Sequence, residues 1–221
     1  MHIPDGYLGP ATCGFFYVAM LPIWTAASRI VKKTLSARQV PLLAIGAAFS
    51  FVIMMFNVPI PGGSTGHAVG GVLVAILLGP WAACIAITVA LVIQALLFGD
   101  GGITAVGANC FNIAFVLPFV GYYIYKTISY NAPIDSNRRV IAAGIAGYVA
   151  LNVAAAFTGV EFGMQPLLHK TASGQALYCP YGLKVALTAM VGEHLLIFGL
   201  IEAIVTAFVI KYLQRQAPEL L

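Results

Sequence analysis

The 221-residue sequence predicts an all-α integral membrane protein with about seven transmembrane helices. Three observations carry that reading. Hydrophobic residues make up 61% of the chain and charged residues only 8%, with a mean hydropathy of +0.95; a soluble domain carries roughly 25% charged residues to cover its surface. Apolar runs recur along the whole chain, separated by short polar segments. Basic residues cluster in those segments, as orientation signals do, so the net charge of +4 does not point to nucleic acid.

The runs place helices at about 9–31, 41–58, 68–79, 81–98, 109–128, 138–160 and 182–213, within a single membrane domain, 1–221. The run from Val69 to Phe98 needs dividing, because one helix of that length would reach about 45 Å against a hydrocarbon core of about 30 Å. Gly79-Pro80 sits in its middle, where proline removes a donor and clashes with the preceding turn. A break there gives seven crossings and puts nine of the eleven Lys/Arg on one side: Arg29, Lys32, Lys33, Arg38, Lys126, Arg138, Arg139, Lys211 and Arg215. Only Lys170 and Lys184 then lie opposite, whereas six crossings would split the charges six to five. The positive-inside rule selects seven, with the N-terminus extracytoplasmic and the C-terminus cytoplasmic in a plasma membrane. The short third span is expected to tilt or to be buried by its neighbours. Glu161–Pro180, the longest polar stretch, is expected to be an outer loop. No basic n-region precedes the first apolar run, so no cleavable signal is expected and Met1 should persist at the outer face. Cys13, Cys84, Cys110 and Cys179 form no CxxC pair and read as small core residues. Small residues four apart, Ala142-Ala146 and Ala143-Gly147, suit close helix packing.

This topology collects metal-ligating groups at one end: the Met1 amine, His2, Asp5, Ser64, Thr65, His67, Asp100, Asn109, Glu161 and His169. In residues 1–8, the amine of Met1, the backbone nitrogen of His2 and the His2 imidazole can close fused five- and six-membered chelate rings. Three coplanar nitrogens suit Ni(II) or Cu(II); the blander alternative is a frayed terminus. The glycine-rich stretch Pro59–Gly71 turns between two apolar spans and ends on His67, able to give a fourth nitrogen or simply to bond its own backbone. In Gly99–Asn109, Asp100 or Asn109 can hold an imidazole by its second nitrogen, although turn chemistry with a helix cap at Asn109 would use the same residues. Glu193, His194 and Glu202 fall inside the last span, where ionisable groups face protein or water. Neither GxxxxGK[ST] nor HExxH occurs, so nucleotide hydrolysis and zinc-protease chemistry have no support.

The segments MHIPDGYLGP, VPIPGGSTGHAVGG followed by ILLGPWAA, and QALLFGDGGITAVGANCFN together resemble the NikM/CbiM family. These are substrate-binding (S) components of energy-coupling-factor transporters for nickel and cobalt. The resemblance runs in order along nearly the whole chain and is strongest over its first 120 residues. It implies the S-component fold with an inserted N-terminal segment. It also implies metal ligands at Met1, His2 and His67, with Ser64, Thr65, Asp100 and Asn109 as supporting candidates. The partners it implies are a transmembrane coupling (T) protein, two ATPase subunits and a small accessory membrane subunit. Nickel is then the transported substrate, with cobalt close behind, and the chain itself is not an enzyme.

Two other readings use the same residues. A self-sufficient secondary transporter or channel would need an ionisable pathway, for which Glu193, His194 and Glu202 are the candidates; uptake without a coupling ATPase discriminates it. An intramembrane metalloenzyme would need an open coordination position and a base such as Asp5 or Asp100; a closed four-nitrogen site argues against it.

Overall fold

The computed structural model describes residues 1–221. Seven helical segments build it: α1 (Pro10–Thr34), α2 (Val40–Met54), α3 (Gly71–Leu78), α4 (Pro80–Phe98), α5 (Val106–Ile128), α6 (Asn137–Leu168) and α7 (Leu183–Gln216). Five are long and apolar enough to cross a membrane, and α2 is a shorter apolar helix. Prolines open α1, α2 and α4, where the missing N–H is not needed and the fixed φ suits a helix start. Gly79, at φ +85°, ends α3 and begins α4. Three stretches widen to π-helix: Gln94–Phe98, Cys110–Val116 and His194–Phe198.

The eight residues of α3 reach about 12 Å, too little to cross a bilayer alone. Its first five residues, Gly71 to Ala75, are buried, so α3 lies inside the bundle. It follows a hairpin whose two-residue strands, Val58–Pro59 and Thr65–Gly66, pair antiparallel. The expected helix to residue 58 therefore stops at Met54, because the chain turns into this hairpin.

The outer loop expected from Glu161 begins later, since α6 continues to Leu168. Polarity misleads there. Glu161 is buried and accepts from Asn112 Nδ2 at 2.9 Å, while Gln165 is buried and donates to the Glu161 carbonyl. Helix α6 packs against α5 and along α7. Its small-residue stripe, Ala142, Ala146, Ala150 and Ala154, is fully buried, so the spacing serves packing within the chain. All four cysteines are buried and free.

Candidate metal centre

Residues 1–9 form neither helix nor strand, yet Met1, His2, Ile3 and Leu8 are buried. Termini are usually solvated and poorly ordered; this one is held by partners along its length. Asn109 pairs with Ile3 as a neighbouring strand would: its Oδ1 accepts from the Ile3 N–H at 2.8 Å and its Nδ2 donates to the Ile3 carbonyl at 3.1 Å. The Gly102 N–H donates to that carbonyl at 2.8 Å. The Asp5 carboxylate accepts from the Ile103 and Thr104 N–H groups and from the Thr104 hydroxyl. Those bonds, led by the hydroxyl, hold the Asp5 pKa below its usual value. Further along, the Gly9 N–H donates to Gln165 Oε1 at 3.0 Å and the Cys179 N–H to the Tyr7 carbonyl at 3.1 Å. A Cβ on Gly102 would strike the backbone of Pro4 and Asp5, so this glycine permits the approach. Asn109 is thus not a helix cap; it ends the first turn of α5 and directs its amide to the terminus.

The docked terminus meets the hairpin. The Met1 amine donates to the Thr65 carbonyl and approaches Thr65 Oγ1 at 3.3 Å. His67 is fully buried. Its Nδ1 lies 3.0 Å from the Ala68 carbonyl, so Nδ1 carries the proton and Nε2 keeps a lone pair with no partner. The His2 and His67 rings stack with centroids 4.5 Å apart and planes at 26°. His2 Nδ1 lies 3.1 Å from Asp100 Oδ1, close enough for attraction but off the axis of an aligned hydrogen bond, and His2 Nε2 has no partner. Asp100 also accepts from Asn57 Nδ2 at 2.9 Å. No acceptor within the protein engages the His2 amide N–H.

Burial sets the charge here. Desolvation lowers the Met1 amine from 8.0 to about 4, against the pull of Asp100. Desolvation also lowers His2, again opposed by Asp100. It lowers His67 well below the usual imidazole value, helped by the neighbouring amine, His2 and His194. Asp100 feels burial in the opposite sense, but His2, the amine and Asn57 together outweigh it and hold its carboxyl below the usual value. At neutral pH the centre is therefore an uncharged amine and two uncharged imidazoles beside one carboxylate. No three His, Cys, Asp or Glu side chains converge anywhere in the molecule, so a metal held here must draw on main-chain nitrogen.

The structure thus brings together Met1, His2, Thr65, His67, Asp100 and Asn109. Ser64 shapes the hairpin through its carbonyl, which accepts from the Ile60 N–H, while its hydroxyl is buried without a partner. Glu161 and His169 lie apart, Glu161 with Asn112 and His169 against Gly9. Sequence reasoning left Glu202 and His194 without roles. The fully buried Glu202 carboxylate accepts from the Val69 N–H at 2.7 Å and the Gly70 N–H at 3.0 Å, fixing the turn after His67. The signal was available: an acid deep in an apolar span needs donors, and Val69-Gly70-Gly71 has free N–H groups before a helix.

The model of the family "Cobalt uptake substrate-specific transmembrane region", CbiM, matches residues 2–220. The chain belongs to the CbiM family. It is 55% identical over its full length to the fused nickel transport protein NikMN of Rhodobacter capsulatus, of which it spans 64%. It is 38% identical over 136 residues to the cobalt transport protein CbiM of a Roseiflexus species, covering 61% of this chain and 55% of that one. A solved structure described as a truncated transition metal transporter is 54% identical and superposes with a TM-score of 0.92, over 96% of this chain and 98% of that one. Membership in the CbiM family agrees with the resemblance read from the three sequence motifs, and the solved structure agrees with the helical membrane fold.

Proposed function

We propose that this chain is the substrate-binding membrane subunit of an ATP-driven energy-coupling-factor importer, capturing Ni(II), or Co(II), at the extracytoplasmic face. The observation that carries the reading is the buried terminus, which brings the Met1 amine to the hairpin and stacks two imidazoles whose Nε2 atoms have no partner. Buried polar atoms without partners call for an explanation, and a metal ion would supply one for His67 Nε2.

Four nitrogens define the site: the Met1 amine, the His2 amide, His2 Nδ1 and His67 Nε2. The six-membered chelate ring requires Nδ1, which faces Asp100 before loading. Capture exchanges that contact for the ion, and the freed amide of His2 loses its proton. The charges then balance: a divalent cation meets one amidate and the Asp100 carboxylate. A buried site favours such neutrality strongly. Planar nitrogen coordination suits Ni(II). No GxxxxGK[ST] pattern occurs in the chain, and the reading assigns ATP hydrolysis to two ATPase subunits acting through a coupling protein, with a small accessory membrane subunit. The longer fused relative, of which this chain spans 64%, is consistent with a further component joined to the same unit.

Nickel titration of the purified protein with its native terminus tests this, beside His2→Ala, His67→Ala and a variant with one residue added before Met1. All three variants should lose tight stoichiometric binding. Retention of tight binding by the extended variant would exclude the amine as a ligand.

A further inference from the structure

Glu202 of α7 reaches His67 through a single peptide group. Its carboxylate accepts from the Val69 N–H at 2.7 Å and from the Gly70 N–H at 3.0 Å. The Val69 nitrogen belongs to the peptide that carries the Ala68 carbonyl, and that carbonyl accepts from His67 Nδ1 at 3.0 Å. This peptide is trans, so its N–H and C=O point to opposite sides. The acid therefore draws on one side of the unit while the imidazole donates to the other. The contacts run from the Glu202 carboxylate through the Ala68–Val69 peptide to His67 Nδ1–H, and the unpartnered His67 Nε2 stands at the far end. Glu202, Val69, Ala68 and His67 are all buried. No basic side chain pairs with the acid, since the one such contact in the molecule joins His2 to Asp100; main-chain N–H groups alone receive it, and an unpaired buried acid is costly. Gly147 of α6 lies against its stem, where a Cβ would come within 3.3 Å of Glu202 Cγ. Gly70, at φ +72°, closes the turn that brings both N–H groups to the carboxylate. Anchoring the start of α3 would use the same bonds without touching the imidazole, so a readout on the imidazole separates the two roles.

We propose that Glu202 is a positioning residue for His67, fixing its Nδ1–H tautomer through the Ala68–Val69 peptide and so presenting the Nε2 lone pair to the captured ion. The proposal rests on the capture reading above. A metal-bound histidine commonly donates its second ring N–H to a carboxylate or to a backbone carbonyl, which holds the tautomer and raises the basicity of the ligating nitrogen. Here the two devices act in series. The carboxylate polarises the peptide, the polarised carbonyl becomes a stronger acceptor, and hydrogen bonds linked in this way reinforce one another in a dry interior. Glu202 thus contributes orientation and basicity without occupying a coordination position.

The test uses the purified full chain with its native terminus. Imidazole nitrogen resonances of the metal-free protein, isotopically labelled in histidine, report the tautomer of each ring, and His67→Ala identifies the His67 signals by their loss. Wild type should show His67 in a single form, protonated at Nδ1. Glu202→Gln keeps the shape but replaces one acceptor oxygen with a donor. It should show His67 as a mixture of tautomers, and titration with nickel chloride should show affinity weakened roughly tenfold to a hundredfold, the scale of losing a supporting contact at a metal site. An unchanged tautomer in Glu202→Gln overturns the proposal whether or not nickel binding falls, because a fall alone marks a structural anchor. A mixed tautomer with unchanged nickel affinity overturns it as well. If the variant does not fold, wild type decides alone: any fraction of His67 protonated at Nε2 refutes the relay, and a single Nδ1-protonated form supports it. His67→Ala, titrated with nickel in parallel, separates the two ideas. If it keeps nickel, the capture reading has failed and the proposal with it; if it loses nickel while Glu202→Gln keeps both tautomer and affinity, only the relay has.

Discussion

Asn109→Ala isolates the docking of the terminus from the chelate itself, because Asn109 touches Ile3 and no proposed ligand atom. The truncation removes two hydrogen bonds. The Ile3 carbonyl keeps its bond from Gly102, so that loss costs about 1 kcal/mol. The Ile3 N–H has no other acceptor and Asn109 is only 3% exposed, so the orphaned donor adds about 1–3 kcal/mol. The sum of about 2–4 kcal/mol corresponds to roughly 30-fold to 1,000-fold in the docking equilibrium. Two readouts follow. Aminopeptidase removal of Met1 from the metal-free protein needs an undocked terminus, so its rate should rise by the full factor. The nickel dissociation constant should rise by up to the same factor, as the docked fraction falls. If neither quantity moves, the terminus is held by other contacts and the strand-like pairing with Asn109 is incidental.

Asp100→Asn removes the carboxylate that balances the loaded ion and should weaken nickel roughly tenfold to a hundredfold in titration calorimetry; an unchanged affinity would refute the charge-balance argument. The Met1 amine falls from 8.0 to about 4 on burial, so docking sheds a proton. Docking is therefore fully favoured above about pH 8 and weakens progressively as pH falls toward 4. At pH 7 the docked amine has no proton to give, so nickel should release close to one proton, from the His2 amide, counted calorimetrically in buffers of different ionisation enthalpy; an undocked amine would give close to two. Gly66→Ala places a methyl group within the Phe198 ring, which should lower the melting temperature and nickel affinity together at a cost of about 1–3 kcal/mol. Adding Phe198→Leu should restore part of both, and an additive double mutant would contradict the contact.

Much of this architecture is legible from simple patterns, and the failures share one cause. Apolar runs and the arrangement of Lys and Arg suffice to divide Val69–Phe98 at Gly79-Pro80 and to count seven helices. The end of α6 was illegible because polarity normally signals a loop, and Glu161 and Gln165 instead face Asn112 and the N-terminal segment. The role of Glu202 was legible only in part: an acid deep in an apolar span calls for donors, but these are the main-chain N–H groups of Val69 and Gly70, more than 130 residues away. Asn109 reads in the sequence either as support for an imidazole or as a helix cap, and it is neither: its partner is the Ile3 backbone, 106 residues distant.

The same limit explains why the centre depends on position more than on residue type. In the proposed site Met1 would contribute through an amine that any first residue would carry, while its side chain is buried as an apolar group. What the chain must supply is a hollow that strips water from that amine, and residues 99–109 and the hairpin build it. Gly102 admits the backbone of Pro4 and Asp5, Asn109 pairs with Ile3, and Thr65 receives the amine. Desolvation then does electrostatically what an alkaline medium would do, presenting a neutral amine at neutral pH. A solvated copy of the same two residues would face a proton on the amine in most encounters with a metal ion at pH 7. In the proposed capture site, the enclosure around Met1-His2, more than the two residues themselves, is what would make the terminus a competent ligand.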